Sequence, residues 1–229
     1  MQISAQAVCL SCCMVKAVLL DFDGTLVREN VLAIACEIAG KREECLRIDN
    51  DFHLGKTSGV GPLIDMINLL RGISLNQIER KLRGIPQSEY LMPGADELLI
   101  YLRSHGIISI LSSGNILPIL DCFRTILQLD YVIGSRPKIK NRVILGIASE
   151  DFTNMDFKLF ESKAILKSLR IAPSETVAIG DSPGDRSKFT FAGKSIAINP
   201  KGGIEKYADY VIQDNLKTAI EIIEEINRQ

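Results

Sequence analysis

Three apolar residues, Val18, Leu19 and Leu20, run directly into Asp21-Phe22-Asp23-Gly24-Thr25. A short, continuous apolar run has no polar face to show to water. It reads as a strand buried on both sides, the kind found in parallel sheets. Such a strand needs helices over both faces, which restricts the chain to an α/β architecture. The same strand stops at two carboxylates placed one residue apart. Charges at the rim of an apolar core require compensation, and a metal cation compensates several acids at once.

The pattern recurs along the chain. Residues 107–111 form a second apolar run, ending in Ser112-Ser113-Gly114-Asn115. Residues 176–179 end in Gly180-Asp181, residues 195–198 end in Asn199-Pro200, and residues 131–133 make a shorter candidate. Helical stretches at 95–104 (after Pro93-Gly94), 117–127, 158–169 and 216–226 separate them. Strands alternating with helices predict a doubly wound, mostly parallel sheet.

Residues 30–88 depart from this rhythm and hold no strand-like run. Apolar helical pieces at 31–39, 63–70 and 75–82 alternate with breaks at Gly55, Gly59, Gly61 and Gly84. The segment is too long for an ordinary connection and is expected to form a small helical cap after the first strand. The core is then residues 14–29 and 89–229, with residues 1–13 as an N-terminal extension. Residues 137–147 read as a β-hairpin with Lys140-Asn141 near its turn.

Composition removes several function classes. The 229 residues carry a net charge of −1, without the basic bias of an electrostatic nucleic-acid binder. Lys138, Lys140 and Arg142 read as a solvated hairpin face. No apolar run approaches the roughly 20 residues of a membrane span. The first 14 residues contain no Lys or Arg, so they lack the basic start of a secretory signal, and the expected location is cytoplasmic. Cys9, Cys12 and Cys13 cluster, but zinc wants four Cys or His ligands in paired groups. The chain offers only two histidines, His53 and His105, neither beside another ligand.

In a doubly wound sheet, ligands bind beyond the carboxyl ends of the strands. Asp21, Asp23, Ser112, Asp181 and Asp185 all fall there. The aspartates offer the oxygen ligands that Mg²⁺ prefers. A carboxylate can attack phosphorus, splitting one hard step into two. Attack by one anion on another needs the charge screened by a metal, a lysine or backbone N–H groups. The leaving alkoxide needs a proton, which a second carboxyl can deliver. Asp21 and Asp23 can fill these two roles.

Asp21-Phe22-Asp23-Gly24-Thr25 resembles the first motif of the haloacid-dehalogenase (HAD) superfamily. Ser112 resembles its second motif, and Gly180-Asp181-Ser182-Pro183-Gly184-Asp185 its fourth. The resemblance implies that Asp21 is the nucleophile and Asp23 the general acid/base. It implies that Mg²⁺ is held by the Asp21 side chain, the Asp23 backbone carbonyl and the Asp181 side chain, with Asp185 supporting the metal shell. Ser112 and N–H groups near Gly24, Ser113 and Gly114 would bind the phosphoryl group. Dehalogenase members lack the second acid of the first motif, so Asp23 favours phosphoryl chemistry. Two residues compete for the third-motif lysine. Lys158 has the family's distance from Asp181, and Lys163 has a family-like local context. The distance favours Lys158.

The helical insert, Pro93-Gly94 and the late hairpin are most similar to the phosphoserine-phosphatase branch. There a glutamate follows the first motif, and an arginine of the cap grips the substrate carboxylate. Asn30 stands at the glutamate position, beside Glu29. Met66 stands near the arginine position, with Arg71 five residues on, and Gly184 replaces an asparagine. A Met66 that faces the site implies a substrate without that carboxylate. The expected activity is Mg²⁺-dependent hydrolysis of a small phosphorylated metabolite, with no nucleic-acid or membrane partner. The alternatives are a phosphosugar mutase using the same aspartyl-phosphate, or a non-catalytic regulatory member. The intact Asp21 and Asp23 argue against the last.

Overall fold

A computed structural model describes residues 14–152, 154 and 156–228. The 1–13 extension, with Cys9, Cys12 and Cys13, lies outside the described residues. The strands are β1 (Ala17–Leu20), β2 (Ile108–Ile116), β3 (Tyr131–Ser135), β4 (Lys138–Lys140), β5 (Val143–Gly146), β6 (Thr176–Gly180), β7 (Lys194–Ile198) and β8 (Tyr210–Ile212). Six of them form one sheet in the order β3-β2-β1-β6-β7-β8, with every neighbouring pair parallel. The strand order reverses direction about β1, which is where a doubly wound sheet opens its crevice.

Alternation along β1 explains its burial. Val18 and Leu20 join one core cluster, and Ala17 and Leu19 join another on the opposite face. All four are fully buried. Complete burial of a leucine is worth about 1.5–3 kcal/mol, so β1 has no tolerance for a polar residue before Asp21.

Ten helices accompany the strands among the described residues: α1 (Val31–Cys36), α2 (Arg42–His53), α3 (Gly61–Asn68), α4 (Leu75–Arg83), α5 (Gln87–Tyr90), α6 (Ala95–Ser104), α7 (Leu117–Leu127), α8 (Phe157–Leu169), α9 (Arg186–Phe191) and α10 (Lys217–Arg228). Helices α6, α7 and α10 supply side chains to the first cluster, and α8 and α9 to the second.

Helices α1 to α4 lie between β1 and β2 in the chain. Asn30 starts α1, its side chain accepting from Ala33 N at 2.9 Å. Ser74 and Gln77 form a reciprocal capping box at the start of α4. These helices bury Cys36, Cys45, Ile67 and Ile78 among themselves and against the sheet. The β4–β5 hairpin reaches across to them. Gly72 N donates to Ile144 O at 2.9 Å, Ile144 N to Ile73 O at 3.0 Å, and Leu75 N to Arg142 O at 2.8 Å. The hairpin turns through Asn141 (φ 51°) and Arg142 (φ 62°), next to the expected Lys140-Asn141. Two consecutive left-handed residues suit the twist of a two-residue hairpin.

Candidate active site

The carboxyl ends of β1, β2 and β6 meet at one rim. Asp21 follows β1 directly, its N–H held by Ile179 O at 2.9 Å. Residues 22–27 fold into a tight loop, with Gly24 N donating to Val27 O at 2.8 Å. Gly24 has φ +81°, and a β-carbon there would collide with the Asp181 carboxylate. Only glycine lets the β1 loop and Asp181 approach this closely. Gly180 has the same function beneath Asp185, whose carboxyl fills the space a side chain would need.

Oxygens of Asp21, Asp181 and Asp185 all lie within 4.8 Å of one another. All three residues are buried. Three lysines answer them. Lys158 Nζ lies 2.6 Å from Asp21 Oδ1 and 3.3 Å from Asp185 Oδ1. Lys188, fully buried, lies 2.8 Å from Asp185 Oδ1 and 3.7 Å from Asp21 Oδ1. Lys201 Nζ lies 2.9 Å from Asp181 Oδ2. The other oxygen, Asp181 Oδ1, is buried with no hydrogen-bond partner. An orphaned carboxylate oxygen beside two further carboxylates is what a hard, oxygen-seeking divalent cation would complete. The residues fit a metal.

Proton affinities differ sharply across the rim. Burial, then the charges of Asp21 and Asp185, push the Asp181 carboxyl up to about 7, despite Lys201. Burial opposes the charge of Asp185, yet Lys158 and Lys188 hold it down at about 2. Burial also opposes the Lys158 ammonium, but Asp185 and Asp21 raise its pKa above the usual range.

Asp23 stands apart from the three-carboxyl cluster. Its Oδ1 accepts from Val31 N at 2.7 Å and its Oδ2 from Asn115 Nδ2 at 3.3 Å. Burial, with the Asp21 charge adding to it, raises its pKa to about 7 against the Val31 and Asn115 bonds. A carboxyl poised near neutrality suits both donation and acceptance of a proton. The metal role expected of Asp23 concerned its backbone carbonyl rather than this side chain.

The remaining sequence candidates divide. β2 continues through residues 112–116, where its register against β3 shifts. Ser112 is fully buried, its hydroxyl donating to Lys158 O at 3.3 Å, whereas Ser113 and Gly114 line the cavity above the carboxylates. Lys163 also lines the cavity, its Nζ 4.9 Å from the Phe191 ring centroid and so seated on an aromatic face. Asn30 and Met66 line it too, while Arg71 does not and bonds Asn68 Oδ1 at 3.1 Å.

Sequence reasoning missed Lys188, Lys201 and Asn115. Lys188 stands three residues past Asp185, on the same helical turn, and that spacing was the available signal. Lys201 follows the end of β7, a strand end like the others.

Comparison with known proteins places this geometry in a family. A model of the haloacid dehalogenase-like hydrolases matches residues 18–188, and a second model of the same description matches residues 158–222. The chain belongs to the haloacid dehalogenase-like hydrolases. Within them it is phosphatase-type, phosphoserine-phosphatase-like in sequence and fold. It is 28% identical to the phosphoserine phosphatase of Methanocaldococcus jannaschii over 86% of this chain and 92% of that protein. It is 26% identical to that of Lactococcus lactis, over 90% and 94% of the two chains. A solved phosphoserine phosphatase with a phospho-aspartyl intermediate analogue superposes with a TM-score of 0.79 at 26% identity, covering 91% of this chain and 99% of that one. No helix among the described residues is long and apolar enough to cross a membrane.

Proposed function

We propose that the chain is a Mg²⁺-dependent phosphomonoester hydrolase that acts on a small phosphorylated metabolite through an aspartyl-phosphate. One observation carries the reading: Asp21, Asp181 and Asp185 converge within 4.8 Å, and Asp181 Oδ1 is left without a partner. The Asp21 and Asp181 side chains and the Asp23 carbonyl would hold the cation, with Asp185 behind them. The bound cation would neutralise phosphate oxygens as a Lewis acid.

The chain's own residues do the rest. Ser113 and the N–H groups around Gly24 and Gly114 hold the phosphoryl oxygens. Lys158 and Lys188 fix Asp21 and offset the negative charge brought by the substrate. Asp21 attacks phosphorus, forming an acyl-phosphate bond as the ester P–O bond breaks. Asp23 gives its proton to the departing alkoxide oxygen. Ionised Asp23 then takes a proton from a water molecule that attacks the phosphorus, releasing phosphate and restoring Asp21.

The test is phosphate release from an aryl phosphate with Mg²⁺, with EDTA, and with Asp21→Asn. Turnover is expected only with Mg²⁺ and intact Asp21. Lys158→Ala is expected to abolish turnover and Lys163→Ala to spare most of it. Mg²⁺-independent turnover, or full activity of Asp21→Asn, would overturn the reading.

A further inference from the structure

A cavity of about 830 Å³ opens from the carboxylate rim, and the alcohol part of any phosphomonoester must extend into it. Its nearest walls come from the helical insert. A β-carbon on Gly114 would lie 3.2 Å from Leu63 Cδ1 and 3.3 Å from Leu63 Cδ2. The Leu63 methyls therefore rest against the backbone of the phosphate-holding segment. On the other side, a β-carbon on Gly184 would lie 4.0 Å from the Phe52 ring and 4.0 Å from Lys158 Nζ. Leu32, Val60 and Met66 extend this apolar wall.

Among the described residues, no lysine or arginine of the insert lines the cavity, and its titratable residues there are Asp49 and His53, which face each other at 3.7 Å. The cations that do line it away from the carboxylates belong to the core and not to the insert, and each already makes one contact of its own. Arg28 Nε donates to Leu91 O at 2.9 Å, Lys163 lies over Phe191, and the Arg186 guanidinium lies 4.2 Å from the Tyr207 ring centroid. A carboxylate placed a few bonds beyond the ester oxygen would face Leu63, Phe52 and Met66 without a partner, an unfavourable burial. A methyl-bearing or aromatic body would meet surfaces of its own kind.

We propose, building on the phosphomonoesterase reading, that the substrate alcohol is a branched-alkyl or aryl body without a carboxylate, held between Phe52, Leu63 and Met66. The experiment has a kinetic and a binding arm. With Mg²⁺, kcat/KM is measured for 3-methylbutyl phosphate and benzyl phosphate against phosphoserine, three alkyl esters of comparable intrinsic reactivity. Both apolar esters are expected to exceed phosphoserine by about four- to fifteen-fold, the factor set by burying one or two extra methylene equivalents. Met66→Arg is expected to narrow that gap through KM. Phosphoserine equal to or better than the apolar esters overturns the proposal.

Calorimetric binding of benzylphosphonate is compared with that of the phosphonate isostere of phosphoserine. Tighter benzylphosphonate supports the proposal even if no ester is turned over, in which event only the hydrolase reading fails. An isostere that binds as tightly, or no binding of either, overturns it.

Discussion

Asp21, Asp181, Asp185, Lys158, Lys188 and Lys201 meet at the sheet rim, and none of them stands on the helical insert. Across the cavity the insert presents Phe52, Leu63 and Met66 and directs its own cations elsewhere. Arg42 pairs with Glu29 and Glu37, Lys81 with Glu37, and Arg47 and Lys56 with Asp51. The two walls differ in what holds them. The rim is a charge-matched cluster whose aspartates and Lys201 follow strand ends, with Lys158 on α8 and Lys188 on α9. The insert is a set of short helices whose lining residues are fixed only by packing. On the proposed reading the rim carries the reaction and the insert the choice of leaving group.

The largest expected effect strikes the rim. Lys188→Met removes a fully buried ammonium 2.8 Å from Asp185 and 3.7 Å from Asp21. Breaking one partner out of a buried ion pair costs about 3–5 kcal/mol, and the remaining Lys158–Asp185 contact limits this to the lower end of that range. Denaturant melts should show that loss. The double variant Lys188→Met/Asp185→Asn should recover part of it, because it no longer leaves a buried charge with one ammonium fewer. A Lys188→Met protein of unchanged stability would mean that the rim is not one charge-matched cluster.

The same contrast explains what sequence could and could not reveal. Asp21, Asp23, Asp181 and Asp185 were legible because each lies within a few residues of an apolar strand's end, where topology alone directs ligands. Lys188 was hidden because lysine is solvated by default, and a buried one shows only through its neighbours. The choice between Ser112 and Ser113 depended on where β2 stops. The strand runs to Ile116, past the polar residues, and only the second serine lines the cavity. Helix α2 escaped notice because Cys45 is its one buried residue, too little for an apolar stripe. Strand β8 has three residues, with Val211 exposed. Phe52 and Leu63 were visible as apolar letters, but their direction depends on packing that no local pattern encodes.

A smaller effect distinguishes the walls through protons. Asp181 stands at about 7 in the metal-free protein, against a free value of 3.8. Because its folded value is raised, the native state binds the proton more tightly. Metal-free stability therefore falls as pH rises through the window between those values and levels off above it. A cation requires the ionised carboxylate, so its binding expels that proton. Mg²⁺ affinity should weaken as pH drops below about 7, by up to about ten-fold per unit for one linked proton. Calorimetric Mg²⁺ titrations in buffers of different ionisation enthalpy measure both the affinity and the proton released. The ratio of benzylphosphonate affinity to that of the phosphoserine isostere, set by the insert, should change far less over the same range, because both ligands carry the same phosphonate group. Mg²⁺ affinity that is flat through that range would remove Asp181 from the metal's ligands.

The smallest effect falls on the link between the walls. Arg142 on the hairpin reaches α4, with Nη2 2.5 Å from Glu79 Oε1 and Nε 2.7 Å from Asn76 Oδ1. Its side chain is half exposed, and such pairs contribute about 0.2–1 kcal/mol. Arg142→Ala should lower Tm by roughly 2–4 °C at most, given the entropy of unfolding a chain this size. KM for an alkyl phosphate should not move, because the backbone bonds from Gly72, Ile144 and Leu75 hold the insert to the hairpin without the side chain. A backbone tether is indifferent to side-chain identity, so the insert can change its lining residues while its distance from the rim stays fixed. A several-fold rise in KM for Arg142→Ala would show instead that a surface ion pair sets that distance, and the separation between a fixed rim and an exchangeable wall would fail.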